Sequence, residues 1–467
     1  MTTTERDTVH IHTIETPGLG DRSYLATDGA VALVVDPQRD IDRVLALAAE
    51  LNVRITHVAE THIHNDYVSG GLELSTASGA AYLVDARDPV SYERTPIADG
   101  DDLDVGTMRL RAIATPGHTH HHLSYALAGG DGRVVGVFTG GSMLYGATGR
   151  TDLVSPDDTV ELTHAQYRSV RRLVGELPGD VEVYPTHGFG SFCAATPTSG
   201  DTSTVADQAR TNPAMTQDEQ GFVEGLIAGL GAYPAYYAHM SPTNTTGPRP
   251  MDLSAPEPVD PAELRRRLEA GQWVADLRSR TVFAAGHLPR TLSFELARPF
   301  ATYLGWLFPY GEPLTLIGDD VQQIAEAQRE LVRIGIDRPA GAATGPIEQL
   351  AAGHELASYP VVGFADLVAA RARGEDPYVI DARTDAERAG GGVADSVHIP
   401  LHQIPSRSHE IPVDRAVWIY CGSGYRAAVA TSLLAADPTR PGRELVHINE
   451  DFPGAAAAGL TIVAHSG

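Results

Sequence analysis

Two imidazoles and a carboxylate fall close together in Thr61-His62-Ile63-His64-Asn65-Asp66-Tyr67, directly after the apolar run Ile55-Thr56-His57-Val58-Ala59. Neutral imidazoles carried on loops are the usual ligands of borderline transition metals. The stretch therefore predicts a metal-binding loop at the end of a strand. His118 follows the turn Thr115-Pro116-Gly117, His187 lies in Pro185-Thr186-His187-Gly188, and His120, His121 and His122 stand close by. One isolated histidine reads most simply as a polar core residue. Histidines on separate loops at this spacing predict one metal, held by His62, His118 and His64. Asp66 is expected to orient a ligand or to pair with Arg150. His187, Tyr67 and Asp152 rank behind these, as further loop groups or as structural residues. The competing reading is a polar mouth in which the histidines only hydrogen-bond one another.

A second chemistry is carried by one of only two cysteines, Cys193 and Cys421. The apolar run Ala416–Tyr420 leads into Cys421-Gly422-Ser423-Gly424-Tyr425-Arg426, and a helix is expected over Ala427–Leu434. A cysteine at a helix N-terminus gains backbone N–H donors, the helix dipole and, here, the charge of Arg426, all of which favour a nucleophilic thiolate. Cys193 stands six positions after His187. It reads either as a thiol at the mouth of the metal site or as a small buried hydrophobe.

These residues need a frame of strand ends. Val31–Val35, Ile55–Ala59, Arg109–Ala114, Val134–Phe138 and Val181–Tyr184 read as strands, Ile41–Leu51 and Leu162–Leu177 as helices, and several strands run into Gly/Pro/Thr loops. Prolines at 242, 248, 250, 256, 258 and 261 mark a linker. Beyond it the chain repeats itself. Val274-Ala275-Asp276-Leu277-Arg278 aligns with Val379-Ile380-Asp381-Ala382-Arg383 at an offset of 105, and Leu316-Ile317-Gly318 aligns with Ile419-Tyr420-Cys421 at an offset of 103. In the first copy Gly318 stands where the second has Cys421, and Gln323 stands where it has Arg426, so the first copy is expected to be inactive.

With 467 residues, two or three domains are expected. A net charge of −25 opposes nucleic acid and anionic lipid as partners. The start, Met1 to Asp7, lacks the pattern of a secretory signal, and no run of apolar residues is long enough to span a bilayer. A cytoplasmic, soluble protein with no membrane partner is expected, and the scarcity of cysteine agrees with a reducing compartment. The sequence leaves open whether it forms a homo-oligomer.

The order Thr-His-x-His-x-Asp, Thr-Pro-Gly-His, Phe-Thr-Gly and Pro-x-His resembles the metallo-β-lactamase superfamily. Gly149-Arg150-Thr151-Asp152 and Arg210-Thr211-Asn212-Pro213 narrow the resemblance to persulfide dioxygenases, and Cys421 to Arg426 resembles the rhodanese active-site loop, Cys-x-x-Gly-x-Arg. The whole chain is similar to persulfide dioxygenase–rhodanese fusions. This implies an α/β multidomain protein: a metallo-β-lactamase αββα sandwich over 1–245, a Pro-rich linker over 246–258, an inactive rhodanese-like domain over 259–355 and an active rhodanese domain over 356–467. It implies one mononuclear metal, Fe(II) in that family, held at positions matching His62 and His118. It also implies oxidation of a low-molecular-weight persulfide to sulfite with O₂, as part of sulfide detoxification, together with sulfur transfer among persulfide, sulfite and thiosulfate through Cys421, Arg426 and the loop residues Gly422, Ser423, Gly424 and Tyr425. In such fusions a cysteine placed like Cys193 carries persulfide sulfur.

Two departures bear on the metal. The family's Phe-Thr-Gly-Asp reads Phe138-Thr139-Gly140-Gly141, and Tyr67 replaces a further histidine. Zn(II) on three histidines, giving a hydrolase fused to a sulfurtransferase, is therefore the alternative. A non-catalytic amino-terminal binding module is the other.

Overall fold

The computed structural model describes residues 9–194, 198 and 200–464, so the start read above as lacking a secretory signal lies outside the described residues. The chain packs as two compact units, Met1–Met251 with Val332–Gly335, and Asp252–Leu331 with Ile336–Gly467.

In the first unit six strands, His10–Thr16, Asp21–Thr27, Val31–Val35, Arg54–Ala59, Ala81–Asp85 and Thr95–Ile97, form one sheet in chain order. A second sheet places Glu182–Pro185, Val134–Gly140, Leu123–Ala128, Met108–Ala114 and Asp102–Val105 side by side. Alternation along the strands sets the layers. Tyr24, Ala26, Leu33 and Val35 face inward and meet Leu110, Ala112, Tyr125, Leu127 and Phe138 of the other sheet. Leu25, Val34, Val58 and Val84 point outward and are covered by Val44 of the helix Asp42–Glu50 and Leu74 of the helix Gly71–Ser78. Val137 and Val183 are covered on the opposite side by Val170 and Leu173 of the helix Thr159–Glu176 and by Phe222 and Leu226 of the helix Glu219–Gly229. This is an αββα sandwich. Complete burial of each such aliphatic side chain contributes about 1.5–3 kcal/mol.

The proline-rich reading misses one element. Tyr237–Thr246 is helical through Pro242, because Asn244 is buried and ties the helix to the metal loop, donating to the carbonyls of His64 and Tyr67 at 2.9 Å each and accepting from Ser69 N–H at 2.9 Å.

The second unit holds two parallel sheets built alike. Trp273–Asp276 lies between Leu292–Ser293 and Leu314–Gly318, while Tyr378–Asp381 lies between Val397–His398 and Val417–Tyr420. The duplication extends to side chains. Arg278 bonds Asp276 and the carbonyl of Gly286 at 3.1 Å, and Arg383 bonds Asp381 and the carbonyl of Gly391 at 2.6 Å. Among the described residues no helix is long and apolar enough to cross a membrane.

Candidate metal centre and cysteine loop

Five buried histidines converge where strands of both sheets end. The organiser is Asp36, the residue after strand Val31–Val35, held at φ +51°. Its carboxylate accepts from Thr61 N–H and Thr61 Oγ1, both at 2.7 Å, and from the hydroxyl of Thr186. Because the Thr61 hydroxyl donates to Asp36, its lone pair is left for Nδ1–H of His62 at 2.9 Å, so Nε2 of His62 carries a free lone pair. The same logic fixes His118. Its Nδ1 donates to the carbonyl of Arg150 at 2.7 Å, and its Nε2 is buried with no hydrogen-bond partner. Nε2 of His64 lies 3.2 Å from Asp36, 3.2 Å from Glu60 and 3.0 Å from the Tyr67 hydroxyl, leaving Nδ1 unpartnered. Nδ1 of His187 is 3.0 Å from both Asp21 and Asp66, and its Nε2 faces Nε2 of His62 at 3.4 Å.

Charge follows from these partners. Burial, reinforced by the neighbouring imidazoles, holds His62 well below the usual histidine range, and burial with His187 pulls His118 down to about 3. Both are neutral, as a ligand must be. Burial opposes charge on His64 and His187 too, but Asp36 and Glu60 push His64 up to about 9, and Asp66 and Asp21 push His187 up to about 10.

The donor set fits a metal. A buried polar atom without a partner costs about 1–3 kcal/mol, and here two such nitrogens, Nδ1 of His64 and Nε2 of His118, stand in one cluster of imidazoles with the facing Nε2 atoms of His62 and His187. Potential ligand atoms of His62, His64 and His187 lie within 4.8 Å of one another, as do those of His118, His187 and Cys193. His187 belongs to both groups, although the sequence reading ranked it behind His62, His118 and His64. Of the spare imidazoles, His122 is committed, with Nδ1 on Thr115 at 2.9 Å and Nε2 accepting from Gly141 N–H at 3.2 Å. His120 and His121 pair with Asp158 and Asp88. A cavity of about 570 Å³ opens beside these loops, lined among others by Ile63, Asn65, His121, Val154, Tyr233 and Tyr237.

Asp66 orients His187 and accepts from Ser191 at 3.2 Å, whereas Arg150 forks onto Asp152 at 2.7 and 2.8 Å. Tyr67, where a further histidine was looked for, donates to the Asp36 carbonyl at 3.3 Å. Asp36, Glu60 and Asp21 were missed. Their signal was a carboxylate at the end of an apolar strand or at the start of one, which no short motif encodes.

The other chemistry sits in the second unit. Cys421 is buried at the end of strand Val417–Tyr420, and its sulfur accepts from Gly424 N–H at 3.2 Å. Gly424 has φ +88°, and a Cβ there would lie 2.2 Å from Oδ1 of Asn449, so only glycine fits at the entry to the helix Tyr425–Ala436. Arg426 lies against Gly422 and is gripped by Glu387 at 2.5 and 2.7 Å. In the first copy Gln323 closes the equivalent loop on itself, accepting from Asp319 N–H at 2.7 Å and donating to the Leu277 carbonyl at 3.2 Å. That copy also reaches the Cys421 loop: Arg280 donates to Asn449 at 2.7 Å, and the Tyr425 hydroxyl donates to the Glu295 carbonyl at 3.0 Å.

Burial alone would raise the Glu387 carboxyl, but Arg426 outweighs it and holds Glu387 down at about 2, against an ordinary 4.5. A depressed carboxylate stabilises the fold above its unfolded value and ceases to do so as pH falls through the folded one. Thermal melts of the wild-type chain are therefore expected to lose stability from about pH 4.5 toward about pH 2, and Glu387→Gln flattens that part of the profile. An unchanged profile would show that the pair contributes nothing.

A family model for the rhodanese-like domain matches residues 364–452. The human mitochondrial persulfide dioxygenase ETHE1 is 30% identical over 208 residues, which is 44% of this chain and 73% of that protein. A hydroxyacylglutathione hydrolase of Gloeobacter violaceus is 31% identical over 38% of this chain and 68% of its own length. A crystal structure of a metallo-β-lactamase from Staphylococcus aureus superposes with a TM-score of 0.65 at 26% identity, covering 72% of this chain and 99% of that one. The chain belongs to the persulfide dioxygenase–rhodanese fusion family.

Within that family this member departs at residue 141, and the space is not vacant. A Cβ on Gly141 would lie 2.2 Å from Cδ2 and 2.8 Å from Nε2 of His118, and one on Gly149 would lie 2.7 Å from Nδ1 of His118. The imidazole of His118 fills the place from which the family's aspartate would project.

Proposed function

We propose that this chain oxidises a low-molecular-weight persulfide to sulfite with O₂ at the histidine centre and moves sulfane sulfur on Cys421. The observation that carries the reading is a buried imidazole cluster with unpartnered nitrogens on the same chain as a cysteine held at a helix N-terminus beside an arginine. The first reaction balances as RSSH + O₂ + H₂O giving RSH, sulfite and two protons. A metal, Fe(II) by family resemblance, would be held among His62, His118 and His187 and would supply the redox chemistry that joins persulfide sulfur to oxygen. The chain's own contribution is to fix tautomers. Thr61 and the Arg150 carbonyl hold the Nδ1 protons of His62 and His118, so their Nε2 atoms present lone pairs, and Asp66 with Asp21 holds Nδ1 of His187, whose Nε2 would exchange its proton for the metal.

At the second site the Cys421 thiolate attacks the sulfane sulfur of RSSH and releases RSH. The Cys421 persulfide anion, held by loop N–H groups and Arg426, then passes its terminal sulfur to sulfite, giving thiosulfate and regenerating the thiolate. Sulfite made at the first site is thereby consumed at the second.

A zinc hydrolase is the rival reading, favoured by the glycine at 141, because a set of nitrogen donors suits zinc. Metal analysis and oxygen consumption with a low-molecular-weight persulfide separate the two. We expect about one metal per chain, O₂ uptake with Fe(II), and loss of both in His118→Ala. Thioester cleavage by the zinc form with no O₂ uptake by the iron form would overturn the dioxygenase reading.

A further inference from the structure

The family's metal set includes one anionic donor, and residue 141 does not supply it. Anions nevertheless surround the centre. Asp36 and Glu60 gather at Nε2 of His64, and Asp21 and Asp66 at Nδ1 of His187, the nitrogen on the opposite side of the ring from Nε2. These carboxylates occupy the outer nitrogens of imidazoles, where they orient rings. Cys193 also lies against Asp66, its thiol hydrogen-bonded to that carboxylate and pushed well up by burial, Asp66 and Asp21, but unlike the carboxylates it groups with His118. It is fully buried, and among the described residues it is the anion-forming side chain whose ligand atom groups within 4.8 Å with His118, the histidine whose Nε2 has no partner.

Cys193 is also built into the supports of both histidines. Its carbonyl accepts from Arg150 N–H at 2.8 Å, and the carbonyl of Arg150 in turn holds Nδ1 of His118 at 2.7 Å. Its own N–H donates to Ser191 Oγ at 3.2 Å, and Ser191 donates to Asp66, the carboxylate that holds His187. One short segment thus fixes the sulfur and two imidazoles together.

We propose that the thiolate of Cys193, with His118 and His187, is the anionic ligand of the metal centre and stands in for the carboxylate missing at position 141. This rests on the reading of the cluster as a metal site. Binding displaces the thiol proton to solvent, because a coordinating thiol is deprotonated, and a thiolate donor accommodates iron, zinc and cobalt alike. A sulfur engaged in this way is a ligand and not a carrier of sulfane sulfur.

The test uses the full chain carrying Cys421→Ser, so that Cys193 is its only thiol, loaded with Co(II). We expect one Co(II) per chain and a near-ultraviolet thiolate-to-cobalt charge-transfer band. Adding Cys193→Ser removes the band and weakens Co(II) binding by about 10–100-fold. Cys193→Asp keeps one Co(II) per chain without the band, which reports an intact fold with a carboxylate in the sulfur's place. Stoichiometric Co(II) without the band in the Cys421→Ser chain overturns the proposal while leaving the metal reading standing. So does a band that survives Cys193→Ser, or sulfur added to Cys193 when the Co(II)-loaded chain is treated with a persulfide. Failure of the Cys421→Ser chain to bind Co(II) at all removes the metal reading, and this proposal with it.

Discussion

Replacement of Cys421 by serine is expected to lower transfer of sulfane sulfur from persulfide to sulfite by about 1,000-fold or more, the scale on which loss of a nucleophile acts, while O₂ uptake stays within about twofold. The sulfur of Cys421 accepts the Gly424 N–H at 3.2 Å at the head of the helix Tyr425–Ala436. The strand before it is fully buried, and Gly424 in the turn after it tolerates no side chain. Serine is nearly isosteric, so the loop persists. What disappears is an atom able to carry an anionic charge at neutral pH and to form a bond to sulfur that is easily broken. Thiosulfate formation measured beside oxygen consumption checks both halves at once. Transfer that survived the substitution would move the sulfurtransferase chemistry away from this loop, and a parallel collapse of O₂ uptake would show that the two activities are not separate.

The second large effect is expected from giving residue 141 the family's aspartate. By motif logic Gly141→Asp should complete a two-histidine, one-carboxylate set and strengthen metal binding. Packing argues for the opposite result. The new Cβ would lie 2.2 Å from Cδ2 and 2.6 Å from Cγ of His118, whose ring is tethered to the Arg150 carbonyl at 2.7 Å and backed by Gly149. A tethered ring cannot yield as the end of a flexible chain would. Overpacking of this kind costs about 1–3 kcal/mol, and displacing the ring of His118 is expected to weaken metal binding by about 10–100-fold. Thermal unfolding and metal titration of the variant check this. Tighter metal binding with unchanged stability would show that His118 moves freely and that the site is an ordinary member of its family with one residue missing.

These two predictions differ in how far the sequence supports them. The loop around Cys421 is contiguous: strand, cysteine, glycines, arginine and helix follow one another within twenty residues, and local backbone geometry carries the chemistry. Its strand, turn and helix are therefore legible in sequence, the helix running over Tyr425–Ala436 where Ala427–Leu434 was expected, whereas Glu387, the partner of Arg426, arrives from thirty-nine positions away. The same holds for the duplicated fold, whose Asp-x-Arg pair recurs with the same bonds in both copies. The histidine centre behaves otherwise. His62, His64 and His118 were conspicuous by motif, but what each nitrogen does is set by Asp36, Glu60, Asp21 and the Arg150 carbonyl, which come from other strands and loops.

By itself, then, the sequence carried the strand and helix alternation, the repeated α/β pair and the strand–cysteine–helix loop at Cys421, because periodic burial and short-range loop geometry are written in neighbouring residues, while the αββα sandwich followed from the resemblance of its motifs. The tertiary structure alone decided which histidine nitrogens are bare, why a glycine stands at 141, and that Cys193 lies beside His118 and His187. Those are matters of space and of hydrogen bonds between strand ends far apart in the chain. A one-dimensional pattern can name the ligand types, but it does not carry the distances that select among them.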